Sequence, residues 1–399
     1  MTDTPSAQPT VGDKVAIVLS GAGSRGAYEA GALSVLLPLL TGNDTPRIIL
    51  GTSVGALNAA MLATVIDKGV ASAAREIEEN WEKVRPEKVF RIPWKGALTE
   101  LAHHVCPQPG RAVGLVDTTP LQETIEELIQ PNDYGHNTKA PHLDTVGIVA
   151  SACSSRRAVV FVEGGPTPMS SSGDQVQYVQ TTLGIPHLLA SSAFPIVFPP
   201  QWVTDRTIDD DWYVDGGVQL NTAFKPAIDL GADKVLVVGG TPLSTRTGAS
   251  ATDLPTLGDS NGQILHALLA NGIAPDIAHL SLTNQYLRAL GSSPPSRASA
   301  PSGPPRRPRR LVSYFTVHPK NDCLDEEARK IYPAGLKSFL ESFGGYKVLG
   351  SITCQKQWPG QFLSYMCFHP KFIRTAFEMG KEETVATLNG ATSIPWITP

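Results

Sequence analysis

Apolar positions in the first third of the chain fall into two kinds of run. Lys14–Ser20 (KVAIVLS) and Arg47–Leu50 (RIIL) are short and rich in β-branched residues, the pattern of buried strands. Each runs into a glycine-rich turn and then into a longer run that reads as a helix. The first helix is expected from Gly26 to about Leu40, the second from Val54 to about Val70. Strand, glycine turn and helix, twice in succession, predict an α/β fold with a mainly parallel central sheet flanked by helices. Further strands are expected at Val146–Ser151, Ala158–Glu163, Val176–Gln180, Lys234–Gly239 and Leu311–Val317. Helices are expected at Leu183–Ala193, about 325–343 and 370–388. Residues 71–140 read as helical and irregular, an insertion or cap rather than a layer of sheet.

Two stretches break this pattern. Residues 1–13 read as a loose tail with neither the positive start nor the apolar run of a secretory signal. Gly291–Arg310 (GSSPPSRASAPSGPPRRPRR) is Pro-, Ser-, Gly- and Arg-rich, the composition of a mobile loop. It ends in a basic cluster, Arg306, Arg307, Arg309 and Arg310, which suits either a solvated loop or contact with anionic lipid head groups or an acidic partner. The basic loop lies between sheet elements, so residues 14–399 are expected to form one domain with insertions. The whole chain has 399 residues, of which 41% are hydrophobic and 18% charged, enough for a sizeable core. Its formal net charge of −4 gives no general attraction for nucleic acid. The five cysteines form no C-x-x-C and no zinc-ligand spacing, so free thiols and no metal are expected. The most apolar later stretch, Leu188–Pro200, holds three prolines and is too short to span a bilayer. A cytoplasmic protein that touches membranes only peripherally is the resulting expectation.

The second glycine turn carries chemistry. Gly51-Thr-Ser-Val-Gly55 is G-x-S-x-G between a strand and a helix, the setting in which a sharp turn presents Ser53 at the top of a sheet. The helix beginning at Val54 turns its amide end toward that serine and favours developing negative charge there. The first turn, Gly21-Ala-Gly-Ser-Arg-Gly26, fits G-x-G-x-x-G, but dinucleotide binding needs an acidic residue at the end of the second strand. Asp44 precedes that strand instead. The better use of the turn is an oxyanion hole, with the amides of Gly23, Ser24 and Arg25 as donors. Arg25 is placed either to hold the loop or to offer charge to an anionic substrate.

A serine nucleophile needs a base. Among the later histidines, His266, His279, His318 and His369 follow the serine as a Ser-Asp-His order requires, but none sits in a glycine-framed turn. Asp215 does, in Trp212-Tyr-Val-Asp-Gly-Gly217, where Gly216 and Gly217 allow a tight turn that exposes the carboxylate. The preceding Asp209, Asp210 and Asp211 read as a solvated loop. A carboxylate serves as base if burial raises its pKa and it is held within hydrogen-bond reach.

Together GAGSRG at 21–26, GTSVG at 51–55, ASSAFPIVFPP at 190–200 and DGG at 215–217 resemble, in this order, the patatin-like phospholipase family. The resemblance covers roughly residues 14–240. It implies a three-layer α/β fold and a Ser-Asp dyad lipid acyl hydrolase that needs no metal or organic cofactor. Ser53 would be the nucleophile, Asp215 the base, and a lipid or other acyl ester the substrate. Alternatives are a water-soluble esterase or thioesterase with the same dyad, and a lipid-binding protein that needs a partner for activity.

Overall fold

The computed structural model describes residues 13–92, 114–129, 137–138, 142–170, 173–204, 210–243, 273–290, 310–333 and 360–398, together with 335, 338, 339 and 342. Its strands are β1 (Val15–Leu19), β2 (Pro46–Thr52), β3 (Thr145–Ala152), β4 (Ala158–Glu163), β5 (Val176–Gln180), β6 (Gln201–Val203), β7 (Asp211–Asp215), β8 (Lys234–Val238) and β9 (Ser313–Val317). They form a single sheet whose main path runs β5-β4-β3-β2-β1-β8-β9. β1, β2, β3, β8 and β9 are mutually parallel. β4 and β5 pair parallel to each other, and β4 runs antiparallel to β3.

Alternation along β1 explains why its sequence is apolar throughout. Val15, Ile17 and Leu19 belong to one core, and Ala16 and Val18 to a second core on the opposite face. The first core is closed by α1 (Gly26–Leu36), α2 (Val54–Val65), α3 (Val70–Lys83) and α10 (Pro370–Leu388). The second is closed by α6 (Phe224–Asp229) and α7 (Ile273–Leu290). A strand buried on both faces has no polar side to show, and each fully buried Val, Leu or Ile contributes about 1.5–3 kcal/mol. The α/β reading with a mainly parallel sheet flanked by helices therefore holds.

Several elements end earlier than their patterns suggest. α1 stops at Leu36, and the tighter turn Leu37–Leu39 contains Pro38, which lacks the N–H that would continue the ladder. α2 stops at Val65, and Gly69, at φ 89°, starts α3 on a new axis. α8 (Cys323–Ile331) ends before Pro333, short of the expected 343. Between residues 71 and 140 the described elements are α3, a tighter turn at Pro86–Lys88 and α4 (Thr119–Leu128), with helical residues at 137–138 and one isolated bridge, Arg91 to Asp117. β6 and β7 were not expected. Asp211, read as solvated loop, opens β7, and its carboxylate accepts from the Ser154 and Trp212 amides.

α10 matches its expected range and packs across α1. The two backbones touch where Gly31 faces the Phe377 carbonyl and Gly380 faces the Tyr28 carbonyl, and neither position has room for a Cβ.

Candidate active site

Strand register brings the two turns together. β2 climbs along β3 and ends with Thr52 opposite Val149. β7 descends along the same edge of β3 and ends with Asp215 opposite Ala150. The two chain ends therefore arrive head to head on adjacent positions of one strand. Ser53 follows Thr52, and its Oγ donates to Asp215 Oδ2 at 2.5 Å.

Ser53 sits at φ 56° and ψ −126°, a left-handed conformation that costs on the order of 1–3 kcal/mol for a residue with a side chain. Three neighbours impose it. The Ser53 amide donates to Ser191 Oγ at 2.8 Å, and Ser191 Oγ donates on to the Val149 carbonyl at 2.6 Å. The Ser53 carbonyl accepts the Ala56 amide at 2.9 Å, which starts α2. Close approach also dictates the flanking glycines: a Cβ at Gly51 would overlap the Gly55 carbonyl, and one at Gly55 the Leu19 carbonyl. Ser191, on α5 (Ile185–Ser191), is a site residue that reading the motifs alone had missed. Its one signal was its place in the 190–200 block.

Asp215 is 2% exposed. Its amide donates to the Ala193 carbonyl at 2.9 Å, and its Oδ1 accepts the Gly217 amide at 2.8 Å. Burial raises its pKa from the ordinary carboxylate value to about 6, with the bonds from Ser53 and Gly217 pulling the other way. Such a carboxylate is ionised at neutral pH yet takes a proton far more readily than an exposed one. Among the described residues no histidine takes part in the hydrogen bonds of Ser53 or Asp215, and His266 lies outside them. His318 instead points Nδ1 at the Thr241 carbonyl, 3.1 Å away, and His369 begins α10.

The first glycine turn lies beside the serine. A Cβ at Gly21 would come within 3.1 Å of Ser53 Cβ. The Gly21 amide is taken by the Asn221 carbonyl at 3.3 Å and the Arg25 amide by the Ala22 carbonyl at 3.2 Å. This corrects the expectation for Arg25, whose amide is spent inside the turn. Its guanidinium is buried as well, paired with Asp325 and hydrogen-bonded to Ser364 Oγ, so it holds the loop and offers no charge to a substrate. The amides of Ala22, Gly23 and Ser24 have no acceptor among the described residues. Gly26 packs against Val54, and Gly216 against the Val149 carbonyl.

Ala22, Gly23 and Ser53 open onto a cavity of about 100 Å³. Its walls are Val54, Leu57 and Met61 of α2, Trp81 of α3, Leu121, Ile125 and Leu128 of α4, and Phe194 and Phe198. Tyr365, Met366 and Phe368, from the end of α9 (Gly360–Met366) and just beyond it, complete the lining. Described residues between 71 and 140, among them Trp81 and those of α4, thus wall the site, together with a segment around 365–368 that no motif marks.

No group of three or more His, Cys, Asp or Glu side chains is disposed to hold a metal ion among the described residues. No helix among them is long and apolar enough to cross a membrane. Of the basic cluster, Arg306, Arg307 and Arg309 lie outside the described residues. Arg310 Nε pairs with Asp233 at 2.8 Å, and its Nη2 donates to the Gly231 carbonyl, so this member is already engaged.

Comparisons with known proteins bear on the family of the chain. Among solved structures the chain is similar to VipD from Legionella pneumophila, at 12% identity and a TM-score of 0.33, over 94% of this chain and 67% of that one. It is also similar to human GIVD cytosolic phospholipase A2 bound to methyl gamma-linolenyl fluorophosphonate, at 15% identity and a TM-score of 0.40, over 95% of this chain and 58% of that one. The chain thus spans little more than half the length of that phospholipase. No curated protein matches the sequence. The family model of the patatin-like phospholipases matches residues 17–228, more than half of the 399. That stretch runs from β1 to α6 and carries both glycine turns, Ser53 and Asp215, and on this evidence the chain belongs to the patatin-like phospholipase family, a family of lipid ester hydrolases.

Proposed function

We propose that this protein releases fatty acids from lipid esters through an acyl-enzyme on Ser53, with Asp215 as the general base. The observation that carries the proposal is the 2.5 Å bond from Ser53 Oγ to a buried carboxylate, in the wall of an apolar cavity. Ser53 Oγ attacks the ester carbonyl carbon and passes its proton to Asp215 Oδ2. The carbonyl oxygen, now negative, is met by the unspent amides of Ala22, Gly23 and Ser24; donors of this kind are worth several kcal/mol each. Collapse breaks the bond to the alcohol, which leaves with the proton from Asp215. Water then attacks the acyl-enzyme and gives its proton to the same carboxylate; collapse breaks the bond to Ser53 Oγ, which takes that proton back from Asp215 as the fatty acid leaves.

The apolar lining favours a lipid over a water-soluble ester, because it suits an acyl chain and has few polar groups for a hydrophilic substrate. Meeting such a substrate at a lipid surface is part of this reading, with Arg306, Arg307 and Arg309 as the basic residues available for it.

The test is labelling of the purified protein with a fluorophosphonate, alongside fatty-acid release from mixed phospholipid vesicles. Wild type should label and release, Ser53→Ala should do neither, and the acid limb of kcat should fall with a midpoint near pH 6. Labelling of Ser53→Ala at the wild-type rate would remove Ser53 from the mechanism. Turnover confined to short soluble esters would favour the esterase reading instead.

A further inference from the structure

The oxyanion turn is held from two sides, and one of them lies more than 300 residues away in the sequence. On the near side, the Asn221 backbone carbonyl and side chain bind the Gly21 amide and carbonyl. On the far side stands the end of α9. Ser24 Oγ donates to the Ser364 carbonyl at 2.5 Å. Arg25 Nε and Nη2 donate to Ser364 Oγ at 3.1 and 2.6 Å. The same guanidinium pairs with Asp325 of α8, lies 4.3 Å over the Tyr365 ring, and reaches the Gly240 carbonyl at 3.4 Å. Ser364 Oγ in turn donates to Asp325. Gly23, at φ 57°, presses its Cα against the Tyr365 carbonyl, with no space for a side chain between them.

Every polar group in this cluster is buried: Arg25 is 3% exposed, Asp325 4% and Ser364 0%. A buried ion pair is a poor device for stability alone, since desolvation offsets most of the attraction. What it supplies here is fixed geometry. Gly23 is a pliable residue of the turn, and the two residues that follow it, Ser24 and Arg25, are tied to one small segment of α9. An oxyanion donor displaced by about 1 Å loses up to roughly 100-fold in rate.

We propose that Ser364 and Asp325 are positioning residues for the oxyanion donors, acting through Ser24 and Arg25. The proposal rests on the reading that the 21–26 turn binds the oxyanion. Neither residue touches the reacting atoms, and both lie beyond residue 228, where the family match ends.

The experiment compares wild type, Ser364→Ala, Ser364→Thr and Ser24→Ala on one soluble medium-chain ester, with rates normalised to titrated active sites. Ser364→Ala should lower kcat by about 10- to 100-fold and leave KM within about twofold, because ground-state binding lies in the cavity. Its affinity for a trifluoromethyl ketone, which forms a tetrahedral adduct on serine, should fall in parallel. Ser364→Thr keeps the hydroxyl and should recover most of the loss. Ser24→Ala cuts only the contact to the Ser364 carbonyl; it should show the same split at smaller size and serves if Ser364→Ala does not fold. Wild-type kcat in both alanine variants would overturn the proposal and leave the Ser-Asp mechanism standing. A loss that Thr does not restore, or one matched by a rise in KM, would also overturn it. Absence of both turnover and labelling in wild type would remove the mechanism itself, and the clamp with it.

Discussion

Asp215 meets two opposed requirements. In its proposed role as base it gains from burial, and as part of a fold it suffers from it. Its pKa stands at about 6 in the folded protein, above the ordinary 3.8, because desolvation disfavours the charge. Between those values the folded state keeps a proton that the unfolded chain releases, so stability falls as pH rises through this window. Above about pH 6 the cost is complete, and a shift of about two units corresponds to roughly 3 kcal/mol. Asp215→Asn should therefore be more stable than wild type by up to about 3 kcal/mol at pH 7.5 and little different at pH 4, while its turnover collapses. Urea midpoints at the two pH values check this, and equal midpoints at pH 7.5 would mean that Asp215 carries no burial cost. At this scale the sequence was most legible. Glycines frame Ser53 and Asp215 because backbone atoms crowd them, and a missing Cβ is visible in a sequence. Ser191 was not, since one serine in a helix has many uses.

The cavity is a property of elements rather than of single residues. Val54, Leu57 and Met61 recur at helical spacing on α2 and give the cavity one continuous wall, with α4 and the 194–198 loop facing it. Met61 lies eight residues beyond Ser53, about 12 Å along the helix axis, so under the proposed mechanism a side chain there meets the distal part of the acyl chain. Met61→Trp should cut kcat/KM for decanoyl esters by at least tenfold and leave acetyl and butyryl esters within about twofold. An unchanged chain-length profile across p-nitrophenyl esters would place the acyl chain elsewhere. The elements themselves were read unevenly. β1, β2, β3, β4 and β8 stood out as apolar runs because both their faces are covered. β7 (DWYVD) did not, since its pairing with β3 spans only three residues and its first aspartate resembles a loop. Yet β7 is the strand that delivers Asp215.

Across the whole molecule, the catalytic half recognised by its motifs is finished by a half that has none. Residues 241–399 offered no motif, because Asp325 and Ser364 lie in ordinary helical surroundings and matter only through Ser24 and Arg25. Tyr365, Met366 and Phe368 close the cavity, and α10 lies backbone to backbone against α1. A chain truncated after residue 359 should lose vesicle hydrolysis and fluorophosphonate labelling even though residues 17–228 remain. Labelling of the truncated chain at the wild-type rate would show that the N-terminal portion completes the site unaided.

The distance in sequence between the oxyanion turn and its clamp also fixes an order in time. At roughly 5–20 residues per second, Ser364 is synthesised about 7–30 s after Asp215. During that interval a growing chain carries its serine and its carboxylate but lacks the segment proposed to set the amide donors. On that reading, the enzyme gains its full rate on lipid only once a segment made well after its serine and carboxylate has folded against the glycine turn.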